Sequence, residues 1–176
     1  MASITENYII TVSYATLTTL SRIIRVSGFA HRFYQELSGG EQQRAQLARV
    51  LCQVWRPIVD GEPCWLLLDE PVASLDIAHQ LMVMQIARDY ARAGGGVVAV
   101  MHDLNLTAMF ADAVTILSEG RVLAAGSIGD VMRDEVLSPA YGCQLRVNVA
   151  PPLGSTYVLP HTAVTAADPT PMELAE

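Results

Sequence analysis

Residues 37–44 read LSGGEQQR and precede a helical pattern, so they combine residue types that could bind a phosphate. Two adjacent glycines at a helix start, Gly39 and Gly40, leave backbone N–H groups open and let a ligand approach closely. The positive end of the helix dipole and the Ser38 hydroxyl would favour an anion there. The same residues also suit an ordinary capped helix, because Ser38 and Glu41 are spaced as in a capping box.

Two adjacent carboxylates follow a short apolar run. Residues 64–68 (CWLLL) predict a strand buried on both faces, and Asp69 and Glu70 come directly after it. Open α/β sheets bind ligands at the carboxyl ends of their strands. There Asp69 could hold Mg²⁺, directly or through water, and Glu70 could orient or deprotonate an attacking water. The alternative is a solvated acidic turn, which the nearby residues 74–76 (SLD) disfavour.

A histidine follows a second apolar run. Residues 97–101 (VVAVM) predict another buried strand, so we expect His102 to emerge at the same sheet edge as Glu70. An imidazole there could touch a terminal phosphate or the attacking water. A structural histidine is the alternative. The other three histidines have no such neighbours and are interpreted as surface or packing residues: His31, His79 and His161.

Helices and strands alternate along the part of the chain that carries these groups. This alternation is typical of a parallel α/β sheet. Helices are predicted over residues 38–54, 77–93 and 104–111, and a strand pair over 114–117 and 121–125.

Composition excludes several classes of protein. The 176 residues suit one domain, and 51% apolar content provides a sizeable core. A net charge of −7 argues against a nonspecific nucleic-acid binder, which needs a basic face. Three widely spaced cysteines favour reduced thiols over a disulfide framework or a zinc site, with one reactive thiol as the alternative. Residues 8–20 are apolar but shorter than the roughly 20 residues of a membrane span.

In chain order these groups resemble the signature, Walker B, D-loop and H-switch motifs of ABC transporter ATPases. The matching strings are residues 37–44, 66–71 (LLLDEP), 74–76 and 101–103 (MHD). From residue 28 to about 160 the chain looks most like the ATPases of bacterial haem (hemin) importers, the HmuV type. The strings that look like that subgroup are residues 28–35, 53–57, 73–80 and 141–143. ATPases of siderophore and cobalamin importers share the core motifs, so they remain an alternative.

The resemblance implies an α/β fold: a partial P-loop (RecA-like) ABC ATPase domain with a parallel sheet core and part of the helical signature subdomain. We expect this truncated domain over residues 27–148, an unassigned leader over 1–26 that does not resemble the family, and a mobile Pro-rich tail over 149–176.

The resemblance also implies roles for individual residues in an ATP site with Mg²⁺. In this family two ATPase subunits pair head to tail, and ATP lies between the Walker A loop of one and the signature of the other. Glu70 would then be the catalytic base, His102 the γ-phosphate switch, and Asp69 the Mg²⁺ ligand. The residues that would contact a partner's ATP or couple the two sites are Ser38, Gly39, Gly40, Glu41 and Asp76.

The implied partners are a second ATPase subunit and an ABC permease in the bacterial inner membrane, which receives haem from a periplasmic binding protein. The implied location is cytoplasmic, on the inner face of that membrane, and no nucleic-acid partner is expected.

One departure from the family pattern affects these expectations. All 11 basic residues are arginine, so the chain contains no lysine for a Walker A loop, and 37 residues before Ser38 are too few for that loop and a Q-loop. We therefore expect the C-terminal portion of such an ATPase behind an unrelated leader, with little ATPase activity alone. A non-catalytic subunit that lends its signature helix to another ATPase, or a decayed fragment, are the alternatives.

Overall fold

A computed structural model describes residues 32–53, 56–73 and 75–163 of the chain. The predicted leader, Ser74 of the D-loop string and the last part of the predicted tail lie outside the described residues. The domain boundaries proposed from the sequence therefore stay predictions.

Five α-helices, six strands and two short 3₁₀ helices make up the described part. The three helices and the four strands predicted from the sequence are confirmed. The elements, in order, are a 3₁₀ helix (Tyr34–Glu36), α1 (Gly39–Gln53), β1 (Ile58–Val59), β2 (Glu62–Pro63), β3 (Trp65–Asp69), α2 (Ile77–Arg92), β4 (Gly96–Val100), α3 (Leu104–Phe110), β5 (Ala113–Ser118), β6 (Arg121–Ser127), α4 (Ile128–Val131), α5 (Asp134–Tyr141) and a 3₁₀ helix (Pro160–Thr162).

The sheet topology confirms an α/β fold with a small parallel core. Strands β3 and β4 pair in parallel, from Trp65 opposite Gly96 to Asp69 opposite Val100, and α2 connects them. The pairs β1–β2 and β5–β6 are antiparallel, as short connections allow. Because β3 and β4 are in register over five residues, they end at the same edge.

The main core forms where α2 packs on one face of this parallel pair. Leu66 and Leu68 of β3 lie against a buried stripe of α2 that includes Leu81 and Tyr90. Leu106 of α3 is fully buried in the same cluster. A second cluster joins the β5–β6 hairpin to α4 and α5; its buried residues are Val114, Val131, Met132 and Leu137.

The expectation that β3 is buried on both faces is wrong. Leu66 is 1% exposed, whereas Leu67, its neighbour on the opposite face, is 72% exposed. Trp65, Val98 and Val100 are also exposed, so the parallel pair presents an open apolar face. A continuous apolar run cannot reveal which face receives a covering element, and within the described residues the helical cover lies on one face.

Cys52, Cys64 and Cys143 are free thiols. Residues 8–20, which the sequence analysis considered too short for a membrane span, lie outside the described residues. Burial raises the pKa of the Cys52 thiol, which lowers its reactivity. Among the described residues, no helix has both the length and the apolar character needed to cross a membrane.

We expect Leu66→Ala and Leu67→Ala to have very different effects on stability. Leu66→Ala leaves a cavity in the main core and should lower the free energy of unfolding by about 2–5 kcal/mol. Leu67→Ala removes a largely exposed side chain and should cost less than about 1 kcal/mol. Urea unfolding followed by circular dichroism measures both values. Equal losses would mean that the second face of the sheet is covered.

Candidate functional site

The shared edge of β3 and β4 brings Glu70 and His102 into contact. The His102 Nε2 atom lies 2.7 Å from Glu70 Oε1. The His102 side chain is 73% exposed and that of Glu70 is 47% exposed, so the pair faces solvent. The two residues are 32 positions apart in sequence, and the parallel pairing of their strands places them side by side.

The backbone at Glu70 adopts a left-handed conformation, with φ at +45°. This region is uncommon for a residue with a Cβ atom, and such residues concentrate at functional sites. Two hydrogen bonds hold the turn: the Glu70 N–H donates to the Val100 carbonyl at 3.1 Å, and the Ala73 N–H donates to the Glu70 carbonyl at 3.3 Å. The chain therefore turns sharply after Asp69 and directs the carboxylate of Glu70 toward His102.

Asp69 ends β3 next to this pair and is exposed. Mg²⁺ at nucleotide sites takes one or two protein carboxylates and completes its coordination with phosphate oxygens and water. Within the described ranges, no cluster of three or more His, Cys, Asp or Glu could hold a metal ion by itself. The single carboxylate of Asp69 fits the protein share of such a Mg²⁺ site.

The start of α1 forms the capping box that the sequence suggests. The Ser38 N–H donates to Glu41 Oε2 at 2.7 Å, and the Glu41 N–H donates to Ser38 Oγ at 3.4 Å. A Cβ atom added at Gly39 would meet open space, so packing within the described residues does not require a glycine there. Close approach by a ligand or another chain would explain the residue type.

The Glu41 carboxylate is held in its ionised form. The hydrogen bond from the Ser38 backbone lowers the pKa of Glu41, and the Ser38 hydroxyl and the charges of Arg32 and Arg44 lower it further. Arg32 Nη1 lies 3.3 Å from Glu41 Oε1. These arginines offset a negative charge that would otherwise weaken an anion site at the helix start.

Asp76 caps the start of α2 and is bound by His79. The His79 N–H donates to Asp76 Oδ1 at 3.0 Å, and His79 Nδ1 lies 2.8 Å and 2.7 Å from the two carboxylate oxygens. The hydrogen bond from the His79 backbone lowers the pKa of Asp76, and the one from its side chain lowers it further. The interpretation of His79 as a surface or packing residue did not include this contact with Asp76. The Asp-x-x-His spacing at a predicted helix start was the signal that could have found this pair.

The predicted site residues lie at three places in the structure, one of which is Asp76 at the start of α2. Asp69, Glu70 and His102 lie together at the sheet edge, whereas the residues 38–41 lie at the start of α1. Arg44 of α1 is a residue to which sequence reasoning gave no role. Its positive charge contributes to lowering the pKa of both Glu41 and Asp76, which links α1 electrostatically to the start of α2.

Known proteins similar to this chain are ATP-binding proteins. It is 69% identical over 149 residues to the hemin import ATP-binding protein HmuV of Roseobacter denitrificans, covering 85% of this chain and 57% of that protein. It is 68% identical over 140 residues to the HmuV of a Jannaschia species, covering 80% and 52%. No family model matches the chain. The chain spans about half the length of the curated relatives it matches.

Solved structures of ABC transporters share the fold. An inward-facing ABC transporter of the metal-chelate type matches with a TM-score of 0.60 and 23% identity, covering 74% of this chain and 49% of that one. The ADP conformation of an ATP-binding cassette matches with a TM-score of 0.54 and 19% identity, covering 77% and 53%. This chain belongs to the ABC transporter ATPases. The resemblance stated from its motifs is thereby confirmed.

Replacing Glu41 with glutamine should lower the folding stability of this ABC ATPase chain by an amount that depends on pH. The folded pKa of Glu41 lies below the ordinary value of 4.5, so its ionised form stabilises the fold above pH 4.5. That contribution is lost as the pH falls through the folded pKa. Unfolding midpoints measured by circular dichroism should show a lower stability of Glu41→Gln at neutral pH and a difference that shrinks in acid. Parallel curves at every pH would contradict this.

Proposed function

We propose that this chain forms part of the ATP-binding and ATP-hydrolysing subunit of an ABC importer whose transported substrate is haem (hemin). The observation that carries the proposal is its 69% identity over 149 residues to a hemin import ATP-binding protein. The juxtaposition of Glu70 and His102 at an exposed sheet edge supports the hydrolytic part of the proposal.

In this proposal Glu70 acts as the general base. One carboxylate oxygen, Oε1, is bound to His102 Nε2, and the half-exposed side chain leaves the other oxygen accessible to water. His102 holds the carboxylate in one orientation and can sense a terminal phosphate with its exposed ring. General-base catalysis of this kind contributes about 10²–10⁴ in rate.

Asp69 would hold Mg²⁺, which neutralises phosphate charge when it is bound. The chain's own residues at this edge are acidic, and the 176 residues contain no lysine. A lysine of the Walker A type must therefore come from polypeptide outside these residues.

The start of α1 would face the ATP of a second ATPase subunit in a head-to-tail pair. Ser38 and Gly39 are exposed, and the open space beside Gly39 leaves room for a phosphate next to the helix N-terminus. Gly40 would add a backbone N–H, and Glu41 would keep the turn in shape through its bond to Ser38. Asp76, with a side chain 66% exposed, would contact the facing subunit.

The proposed partners are an ABC permease in the inner membrane and, through it, a periplasmic haem-binding protein. The chain would then act in the cytoplasm, on the inner face of that membrane. The names of the similar proteins, which are hemin import proteins, support the choice of substrate over siderophores or cobalamin. Co-purification with a haem permease, but not with a siderophore or cobalamin permease, tests this choice.

A second candidate function is a non-catalytic subunit that lends its signature helix to another ATPase. The complete absence of lysine favours it, because charge-assisted contacts are the strong ones in phosphate binding. In this case the residues at the start of α1 matter, and Glu70 does not.

ATP hydrolysis by a mixed assembly tests both candidates. The chain would be combined with the Roseobacter HmuV protein whose own signature serine is replaced by arginine, so that the signature has to come from this chain. We expect Mg²⁺-dependent hydrolysis in the mixture and little in either component alone. Ser38→Arg in this chain should abolish the activity, because a bulky cation would occupy the phosphate position. Hydrolysis unaffected by Ser38→Arg would contradict both candidates.

Glu70→Gln separates the two candidates. Because Glu70 would act on an ATP held by a Walker A loop of its own chain, this test uses the chain with the Walker A region of the Roseobacter HmuV protein fused ahead of residue 28, paired with an unmodified HmuV subunit. If this chain carries out hydrolysis, Glu70→Gln should lower the rate at that site by about 10²–10⁴, because an amide cannot take a proton from water. If it only lends its signature helix, the rate should not change. The measurement is phosphate release at saturating Mg²⁺ and ATP, with Glu62→Gln, an exposed glutamate of β2, as the matched control.

A further inference from the structure

Two neighbouring residues of α2 hydrogen-bond to the loop between Glu70 and α2. His79 binds both carboxylate oxygens of Asp76 through Nδ1, at 2.8 Å and 2.7 Å. Gln80 Nε2 donates to the Val72 carbonyl at 3.2 Å, and Val72 itself is buried. The Leu75 N–H donates to the same carbonyl at 3.2 Å. The first turn of α2 therefore fixes both ends of the segment 72–76.

The exposures of the two side chains suggest which of them holds the other. The His79 side chain is 20% exposed, so its ring is largely fixed against the protein, whereas the Asp76 side chain is 66% exposed. A cap of α2 needs only the backbone N–H of His79, at 3.0 Å from Asp76 Oδ1. The imidazole contact to the second oxygen, Oδ2, is additional to capping and removes the rotational freedom of the carboxylate.

We propose that His79 is a positioning residue that presents the Asp76 carboxylate in one orientation to the facing ATPase subunit. This inference rests on the proposed function, in which Asp76 lies at the subunit contact. The Nδ1–H group of His79 donates to the carboxylate. The charge of Arg44 on α1 also contributes to lowering the pKa of Asp76. Gln80 keeps the same segment anchored at Val72, so a loss of the His79 ring would leave Asp76 held only by the backbone N–H of residue 79 without releasing the loop.

A titration of the Asp76 carboxyl group in the full chain tests the contact directly. The pKa of Asp76 lies below its ordinary value of 3.8, and the ring of His79 contributes to this. In carbon-13 NMR, His79→Leu should move the Asp76 titration upward, toward but not up to 3.8, because the backbone N–H of residue 79 remains. His79→Asn places an amide N–H near the position of Nδ1 and should keep the titration lowered.

The matched control is His161→Leu, which replaces an exposed histidine of the last 3₁₀ helix and should leave Asp76 unchanged. Should His79→Leu fail to fold, His79→Gln retains a polar side chain while moving its N–H away from Asp76. An Asp76 titration that is identical in the wild-type chain and the Leu or Gln variant would overturn the proposal.

The positioning role is tested in the mixed assembly described above. We expect His79→Leu to lower kcat about tenfold while the KM for ATP stays within about twofold, since a misplaced group affects the transition state more than ground-state binding. His79→Asn should restore kcat to within about threefold of the wild type. Equal kcat values for the Leu variant and the wild type would overturn the positioning role.

The two proposals fail in different ways. If the wild-type mixture hydrolyses no ATP, the proposed function is wrong, and so is the role of Asp76 at a subunit contact. The Asp76 titration then still decides whether His79 holds the carboxylate. If the mixture is active but His79→Leu has the same kcat as the wild type, the proposed function stands and the positioning role is overturned.

Discussion

The in-register parallel pairing of β3 with β4 is the constraint on which the rest of the site depends. Each strand has five residues that are mostly apolar, and α2 connects them while covering one face. Because both strands end at the same edge, the polar residues that follow them are brought together. The 2.7 Å contact between Glu70 and His102 is a direct result. A shift of one residue in register would also turn the buried Leu66 and Leu68 toward solvent.

Helix starts provide the second organising feature. At α1 and at α2 a side chain satisfies backbone N–H groups that the helix leaves unpaired, and in both places a second side chain binds the carboxylate of the cap. Arg32 binds Glu41, and His79 binds Asp76. In the proposed function, both caps would also fix the groups that face a second ATPase subunit. Arg44 acts electrostatically on both of them.

Most of the secondary structure could be predicted from the sequence, because apolar runs and helical periodicity are local signals. The prediction that β3 is buried on both faces failed for a physical reason. The apolar residues around Leu67 indicate a preference for burial. The strand sequence does not encode which element, if any, covers each of its two faces. The contact of His79 with Asp76 was missed because it depends on a three-residue spacing at a helix start rather than on neighbours in a motif.

The sequence by itself determined the family of this chain, since the order and residue types of its four motifs are specific to ABC transporter ATPases. It also shows that none of the 176 residues is a lysine. Only the tertiary structure decided which of these residues touch one another. Glu70 and His102 are 32 residues apart, and their contact follows from the pairing of β3 with β4, a long-range interaction that no local pattern records.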